Sequence, residues 1–142
     1  LLVSPQFLAR HAADQLPSQP ADLQHWPLVA FSQLRQPRHW TFVRGQQQQS
    51  VQFSSPFIVS STASLSTLLQ GGAGIGVMTD YAATPLLKAG TLVRLLPDWQ
   101  LPSGGTFAVY PPGRQRPLKV RRLVEAVQQH LTLSQAVAPT AG

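Results

Sequence analysis

Proline and glycine interrupt this sequence along its whole length and limit how long any helix or strand can be. The 142 residues include 13 prolines and 10 glycines. Proline removes a backbone donor and glycine costs conformational entropy, so regular elements tend to break at these residues. We therefore expect several short strands and helices rather than a long helical bundle. The length suits one domain rather than two complete ones.

Composition narrows the class of protein further. The net charge of +6 would attract phosphate backbones or anionic surfaces. The basic residues are spread over the whole chain, however, which favours a solvated basic surface without a nucleic-acid role. Only 11% of residues are charged, against about a quarter in an average protein, so we expect a partner to cover part of the surface. The absence of cysteine excludes disulfides and thiol catalysis and is compatible with a cytoplasmic location. No apolar run approaches the roughly 20 residues of a membrane span.

Hydrophobic periodicity and turn residues predict alternating strands and helices. Strands are expected at residues 1–3, 28–31, 39–44, 51–53, 57–60, 75–78, 92–96 and 106–110. Helices are expected at residues 5–11 and 20–25, after Ser61 or Thr62, and after Thr79 or Asp80 with a restart at Pro85. A last helix is expected from Pro117 to about 133. This alternation favours an α/β fold with a largely parallel sheet.

Two shorter segments receive their own interpretation. Residues 39–54 resemble a β-hairpin, with Gly45 and the glutamines at 46–49 as its exposed loop. The residues after 133 are Ser, Gln, Ala, Val, Pro, Thr and Gly, and we expect a disordered tail at 134–142. The start of the chain, Leu1-Leu2-Val3, is expected to be the interior of a longer protein.

The glycine-rich stretch at 72–76 invites a dinucleotide-binding interpretation, which its context contradicts. Val77 occupies the position of the third glycine in G-x-G-x-x-G. A phosphate-binding loop also runs from a strand into a helix, whereas here a predicted helix comes first and a strand follows. These glycines are better explained as a helix C-cap and a close approach between backbone segments.

No arrangement of residues typical of an enzyme or a metal site stands out. The four histidines lack metal-ligand spacing, no G-x-S-x-G motif occurs, and no pair of carboxylates suggests acid–base catalysis. Asp22 and Asp80 stand at predicted helix starts, where capping is the default role. We expect neither enzymatic activity, nor a cofactor, nor a metal ion.

Three hydroxyl side chains stand where a strand meets a helix: Ser60, Ser61 and Thr62. Helix N-termini carry unpaired N–H groups and a partial positive charge, and such junctions often line the ligand crevice of an open α/β sheet. These residues could bind a carboxylate, or they could simply cap the helix. The basic cluster at 114–122 has two interpretations as well, an acidic partner or DNA on one hand and a solvated face on the other.

Three stretches together resemble the effector-binding domain of LysR-type transcriptional regulators. They are VSPQFLARH at 3–11 with PADLQH at 20–25, GAGIG at 72–76 with GTLV at 90–93 and LPDW at 96–99, and VYPP at 109–112 with PLKVR at 117–121. The resemblance implies the fold of type 2 periplasmic binding proteins, in which two α/β lobes enclose a cleft. Residues 1–107 would form the second lobe, and residues 108–133 would be a strand and a helix that return to the first lobe.

The resemblance also implies a function and a site. A small effector, which could bear a carboxylate, would bind in the cleft and signal to an N-terminal winged helix-turn-helix that is absent from this chain and binds DNA. The protein would form a homo-dimer or tetramer without a membrane partner. We expect Ser4, Pro5, Ser60, Ser61 and Thr62 to line the second-lobe wall of the cleft.

Some alternatives stay open at this point. A stand-alone solute-binding protein has the same fold, and a DNA-binding module using the arginine cluster would need no effector. The last helix carries an apolar stripe of Val120, Leu123, Val124, Val127 and Leu131, which we expect a dimer contact or a separate segment to cover.

Overall fold

A computed structural model of the chain describes residues 1–11, 16–103, 109 and 118–136. Residues 131–136 are described by their backbone alone. The chain divides into two compact units, Leu1–Pro102 and Ser103–Gly142. The predicted strand at 106–110 lies outside the described residues except for Val109, as do Arg114 and Arg116 of the basic cluster.

Six short strands lie in the first unit and form three two-stranded pairs of mixed direction rather than the largely parallel sheet predicted. They are β1 (Leu2–Val3), β2 (Val29–Phe31), β3 (His39–Arg44), β4 (Gln47–Gln52), β5 (Phe57–Val59) and β6 (Val93–Arg94). β2 and β5 pair in parallel, whereas β1 pairs with β6, and β3 with β4, in antiparallel fashion. The prediction was wrong because β1 runs against β2, and residue patterns do not reveal strand direction.

Single backbone bridges join two of these pairs, β2–β5 and β1–β6, into one continuous order, whereas the β3–β4 hairpin is a separate pair. Ile75 bridges Leu28 in parallel, and Gly76 bridges Leu2 in antiparallel orientation. The resulting order is β5, β2, the segment at 75–76, β1 and β6. The segment predicted as a strand at 75–78 therefore makes only isolated bridges, and the strand predicted at 92–96 shortens to Val93–Arg94.

The helices agree closely with the sequence. They are α1 (Pro5–His11), a 3-10 helix (Pro20–Leu23), α2 (Thr62–Gln70), α3 (Asp80–Lys88) and α4 (Leu118–Ala136). Pro85 lies inside α3 without restarting it. α4 extends to Ala136, beyond the predicted end at 133, and its Leu123 and Val127 are 65% and 45% exposed.

The β3–β4 hairpin corrects the predicted glutamine loop. Arg44 pairs with Gln47, which leaves Gly45 and Gln46 as the turn, and Gln47 to Gln49 belong to β4. Gly45 has a φ of +57°, as the first position of a tight hairpin turn requires. Trp40 and Phe42 are buried on β3 and fix the register, so the glutamines follow the strand despite their polarity.

Successive strand residues contribute to two hydrophobic clusters, one on each face of the sheet. Val29 and Leu2 belong to the cluster that includes Leu65 and Leu69 of α2. Their neighbours Ala30 and Val3, in contrast, belong to the cluster with Phe7, the hairpin and Trp99. The sheet is thus packed between α2 and α3 on one side and α1 with the hairpin on the other.

Candidate functional site

The sheet has two ends of different character. We call the end where β2 and β5 finish, at Phe31 and Val59, the carboxyl edge. The opposite end, where β2 begins near Pro27, is the amino edge. Because β1 is antiparallel to the 75–76 segment, it finishes at the amino edge.

Ser4 lies at the amino edge and is almost fully buried, with 2% of its surface exposed. Its Oγ accepts a hydrogen bond from the backbone N–H of Phe7 at 3.2 Å, which is the N-cap interaction expected where a strand meets a helix. Pro5 follows as the first residue of α1 and is exposed. Both residues therefore act locally on α1, as their sequence pattern predicts.

Two glycines pack tightly against neighbouring residues at the amino edge. A Cβ on Gly74 would lie 2.1 Å from the carbonyl oxygen of Pro27, and one on Gly72 would lie 3.4 Å from Ser4 Oγ. Arg10 donates from Nη2 to the Gly72 carbonyl at 2.9 Å. The prediction that the glycines at 72–76 permit close backbone contact is confirmed, and the amino edge leaves little room for a ligand.

Ser60, Ser61 and Thr62 lie at the carboxyl edge instead, and all three are exposed. Pro27 lies at the amino edge and Ser32 at the carboxyl edge of β2. The two edges are therefore roughly 16 Å apart, at about 3.3 Å per strand residue. Three strand spacings also separate β1 from β5. The structure therefore brings the Ser60–Thr62 group together but does not bring Ser4 and Pro5 to it.

Ser61 is the N-cap of α2 and is committed to that helix. Its Oγ accepts from the backbone N–H of Ser64 at 3.1 Å and donates to Ser64 Oγ at 2.8 Å. The hydroxyls of Ser60 and Thr62, and the backbone N–H groups of Thr62 and Ala63, make no hydrogen bond within the described residues. These four donors point to the first turn of α2 as the place where this edge can bind an acceptor.

Two further hydroxyl residues at the carboxyl edge were not predicted as site residues. Ser32 follows β2 and donates its backbone N–H to Val59 at 2.9 Å, which places it beside Ser60. Thr79 precedes α3 as its N-cap and makes no side-chain cap hydrogen bond. Their one signal in the sequence was a hydroxyl residue directly after a strand segment, the same signal that identified Ser60.

The donors of the Ser60–Thr62 group lie in an uncharged stretch of the sequence. No Asp, Glu, Lys, Arg or His occurs between Arg44 and Asp80. On the β6 side, Arg94 Nη2 lies 3.7 Å from Asp80 Oδ1 in an exposed ion pair, which contributes little to stability. A cleft of about 70 Å³ beside this pair is much smaller than the pockets of about 300 Å³ or more that hold drug-sized ligands.

Metal binding finds no support in the described part of the chain, where no group of three His, Asp or Glu residues could hold an ion. Likewise, no helix within the described ranges is long and apolar enough to cross a membrane.

Comparison with known families decides what this domain is. The family model for the LysR substrate binding domain matches residues 1–132. The chain belongs to this family. The predicted fold is thereby confirmed, because LysR substrate-binding domains have the type 2 periplasmic-binding-protein-like fold.

Individual relatives agree with this LysR assignment. The chain is 35% identical over 113 residues to the HTH-type transcriptional regulator PtxR of Pseudomonas aeruginosa. The matched segment makes up 80% of this chain and 36% of PtxR. The CrgA regulatory domain from Neisseria meningitidis matches 92% of the chain and 62% of its own length, with a TM-score of 0.68 at 22% identity. Full-length AphB of Vibrio cholerae, a virulence activator, matches 71% of the chain and 33% of its own length, with a TM-score of 0.62 at 24% identity. The chain thus spans about a third of the full-length regulators it resembles.

Proposed function

We propose that this LysR domain senses a small effector within a DNA-binding transcriptional regulator, and that the effector binds at the carboxyl edge of its sheet. The observation that carries the proposal is the set of uncommitted donors at the start of α2, from Ser60 to Ala63, in a domain of the LysR substrate-binding family. In open α/β sheets, ligands bind outside the carboxyl ends of the strands. Binding would shift the population of two arrangements of the regulator.

The effector's binding group is a carboxylate or a similar small anion. A carboxylate oxygen accepts hydrogen bonds from backbone N–H and hydroxyl donors, and the α2 N-terminus adds a partial positive charge. Ser60 and Thr62 contact it directly in this proposal, and Ser61 holds the helix start in place. Ser4 and Pro5 support the domain from the amino edge, since Ser4 Oγ is buried and already bonded.

The whole protein, in this proposal, is a cytoplasmic homo-oligomer that binds DNA through a winged helix-turn-helix outside this chain. The support is the 35% identity to PtxR, a transcriptional regulator of the HTH type. The same relationship favours a regulator over a stand-alone solute-binding protein, and over an enzyme.

Calorimetric titration with a panel of small carboxylates, from acetate to benzoate, tests the site. The variant that combines Ser60→Ala with Thr62→Val removes two hydroxyls and keeps the shape of residue 62. We expect its affinity for the best-binding carboxylate to fall about tenfold or more, because hydrogen bonds to charged groups contribute roughly 1.5–3 kcal/mol each.

Thr84→Val is the matched control, because the Thr84 hydroxyl bonds only to the Asp80 carbonyl within α3, at 2.8 Å. Its affinity should equal that of the wild type. Equal affinity in all three proteins would remove Ser60 and Thr62 from the site, whatever the role of the domain.

A further inference from the structure

A small cleft lies at the carboxyl edge of the sheet on the β6 side, where β6 ends at Arg94. Four strand spacings of about 4.8 Å separate β6 from β5, so this cleft is distinct from the proposed effector site at Ser60. Its volume of about 70 Å³ exceeds the roughly 10–15 Å³ that one water molecule needs. Three of the residues that line it have polar side chains, Asp80, Arg94 and Trp99, and these determine which ligand fits.

The two charged side chains of the cleft leave their hydrogen-bonding capacity unused. Arg94 Nη2 lies 3.7 Å from Asp80 Oδ1, which is longer than the roughly 2.7–2.9 Å of a charge-assisted hydrogen bond. Neither side chain makes a hydrogen bond elsewhere within the described residues. Because an exposed ion pair of this length contributes little to stability, a ligand can bind between the two groups without a large loss.

Trp99 adds an unpaired donor that is held in a fixed position. Its side chain is buried, and its Nε1 has no hydrogen-bond partner within the described residues. The guanidinium of Arg44 lies 4.6 Å from the centre of the indole ring, a cation–π contact that fixes the ring from the hairpin side. Buried donors in folded proteins are normally paired, and an acceptor that reaches Nε1 from the cleft would satisfy this one.

We propose that this cleft binds a small α-amino acid in its zwitterionic form. Arg94 and Trp99 donate hydrogen bonds to the carboxylate, and Asp80 accepts them from the ammonium group. The two charges of an α-amino acid are attached to one carbon, which suits partners that lie 3.7 Å apart. A plain carboxylate is repelled by Asp80 and a plain amine by Arg94. The apolar part of the lining, which includes Met78 and Ala83, receives a short aliphatic side chain.

Isothermal titration calorimetry of the full 142-residue chain with L-alanine tests the proposal. The titrations are done at about pH 8, where the Leu1 amino group at the cleft is uncharged, because burial lowers its pKa to about 6. Arg94→Gln and Asp80→Asn each remove one charge from an exposed side chain and nearly keep its size. Lys88→Gln is the matched control, because it removes a charge from the opposite end of α3.

We expect saturable binding of L-alanine to the wild type, an affinity about tenfold lower or less in Arg94→Gln and in Asp80→Asn, and an unchanged affinity in Lys88→Gln. Absence of saturable binding, or unchanged affinity in the two cleft variants, would overturn the proposal. A higher affinity in Asp80→Asn would also overturn it, because the cleft would then bind the carboxylate alone.

The variant that combines Ser60→Ala with Thr62→Val separates this cleft from the effector site. It should bind L-alanine as tightly as the wild type does, since both substitutions lie on the β5 side of the sheet. A loss of L-alanine affinity in this variant would place the amino acid at the first turn of α2 and overturn the cleft as its site.

Discussion

The amino and carboxyl edges of the sheet both contain a serine between a strand and a helix, yet the two serines have different surroundings. At the amino edge, Ser4 is buried and bonded to the backbone of Phe7, and Gly74 presses against Pro27. At the carboxyl edge, Ser60 and Thr62 are exposed and their hydroxyls make no bond among the described residues. A hydroxyl at a strand–helix junction is thus available to a ligand only where packing leaves it exposed and unbonded.

Gly74→Ala should have the largest effect on stability. The new Cβ would lie 2.1 Å from the Pro27 carbonyl oxygen, so the backbone must move and the bond from Ile75 N–H to Pro27 would be strained. We expect a loss of about 3 kcal/mol or more in the free energy of unfolding, measured by urea denaturation.

Gly90→Ala separates steric contact from backbone strain, because Gly90 also has a positive φ, of +70°, but faces open space. It should cost only about 1 kcal/mol. Equal losses for the two variants would show that the amino edge is less tightly packed than the structure indicates.

Ser4→Ala should have the next largest effect. It removes the N-cap of α1 and leaves the buried Phe7 N–H unbonded, which typically costs about 1–2 kcal/mol. Urea denaturation should show this loss, while carboxylate affinity stays at the wild-type value. A loss of affinity larger than the loss of stability explains would place Ser4 in the effector site after all.

Thr62→Val should change stability by less than about 0.5 kcal/mol, since exposed residues away from structural bonds usually do. Thermal unfolding of Thr62→Val and Ser4→Ala under the same conditions compares the stability lost at the carboxyl edge with that lost at the amino edge. If Thr62→Val proved as destabilising as Ser4→Ala, the hydroxyls at the two edges would both be structural.

Asp22, in the 3-10 helix that leads towards the amino edge, should give the smallest effect. Hydrogen bonds from the backbone N–H groups of Ser18 and Gln19, at 2.9 and 3.1 Å, hold the pKa of its carboxyl below the usual 3.8. A depressed folded-state pKa adds stability above 3.8 that disappears as the pH falls through the folded-state value. Asp22→Asn should therefore flatten the pH dependence of unfolding below about pH 4. An unchanged pH profile would show that these bonds do not favour the charged form.

Local features of the fold were predictable from the sequence, whereas relations between distant segments were not. Ser4-Pro5 marked the start of α1, and Gly71-Gly72 the end of α2, because capping depends on a few adjacent residues. The prediction of a loop at the β4 glutamines was wrong, because their register depends on Trp40 and Phe42 across the hairpin.

The candidate site shows the same limit. Each of its residues was placed correctly on its own strand–helix junction. That these residues line one cleft wall stays a prediction. β1 runs against β2, a direction that no local pattern encodes, so Ser4 and Pro5 lie at the amino edge and Ser60 to Thr62 at the carboxyl edge. Ser32 and Thr79 were missed for the same reason, since only the strand order brings them to the edge that holds Ser60.

A carboxylate titration followed by two-dimensional NMR of backbone amides tests the central claim most directly. The account predicts that the amide signals of Thr62 and Ala63 shift and saturate together, while those of Pro5's neighbours Gln6 and Phe7 stay in place. Saturable shifts at Gln6 and Phe7 with none at Thr62 and Ala63 would contradict it, because the effector would then bind at the edge where Ser4 is buried and already bonded.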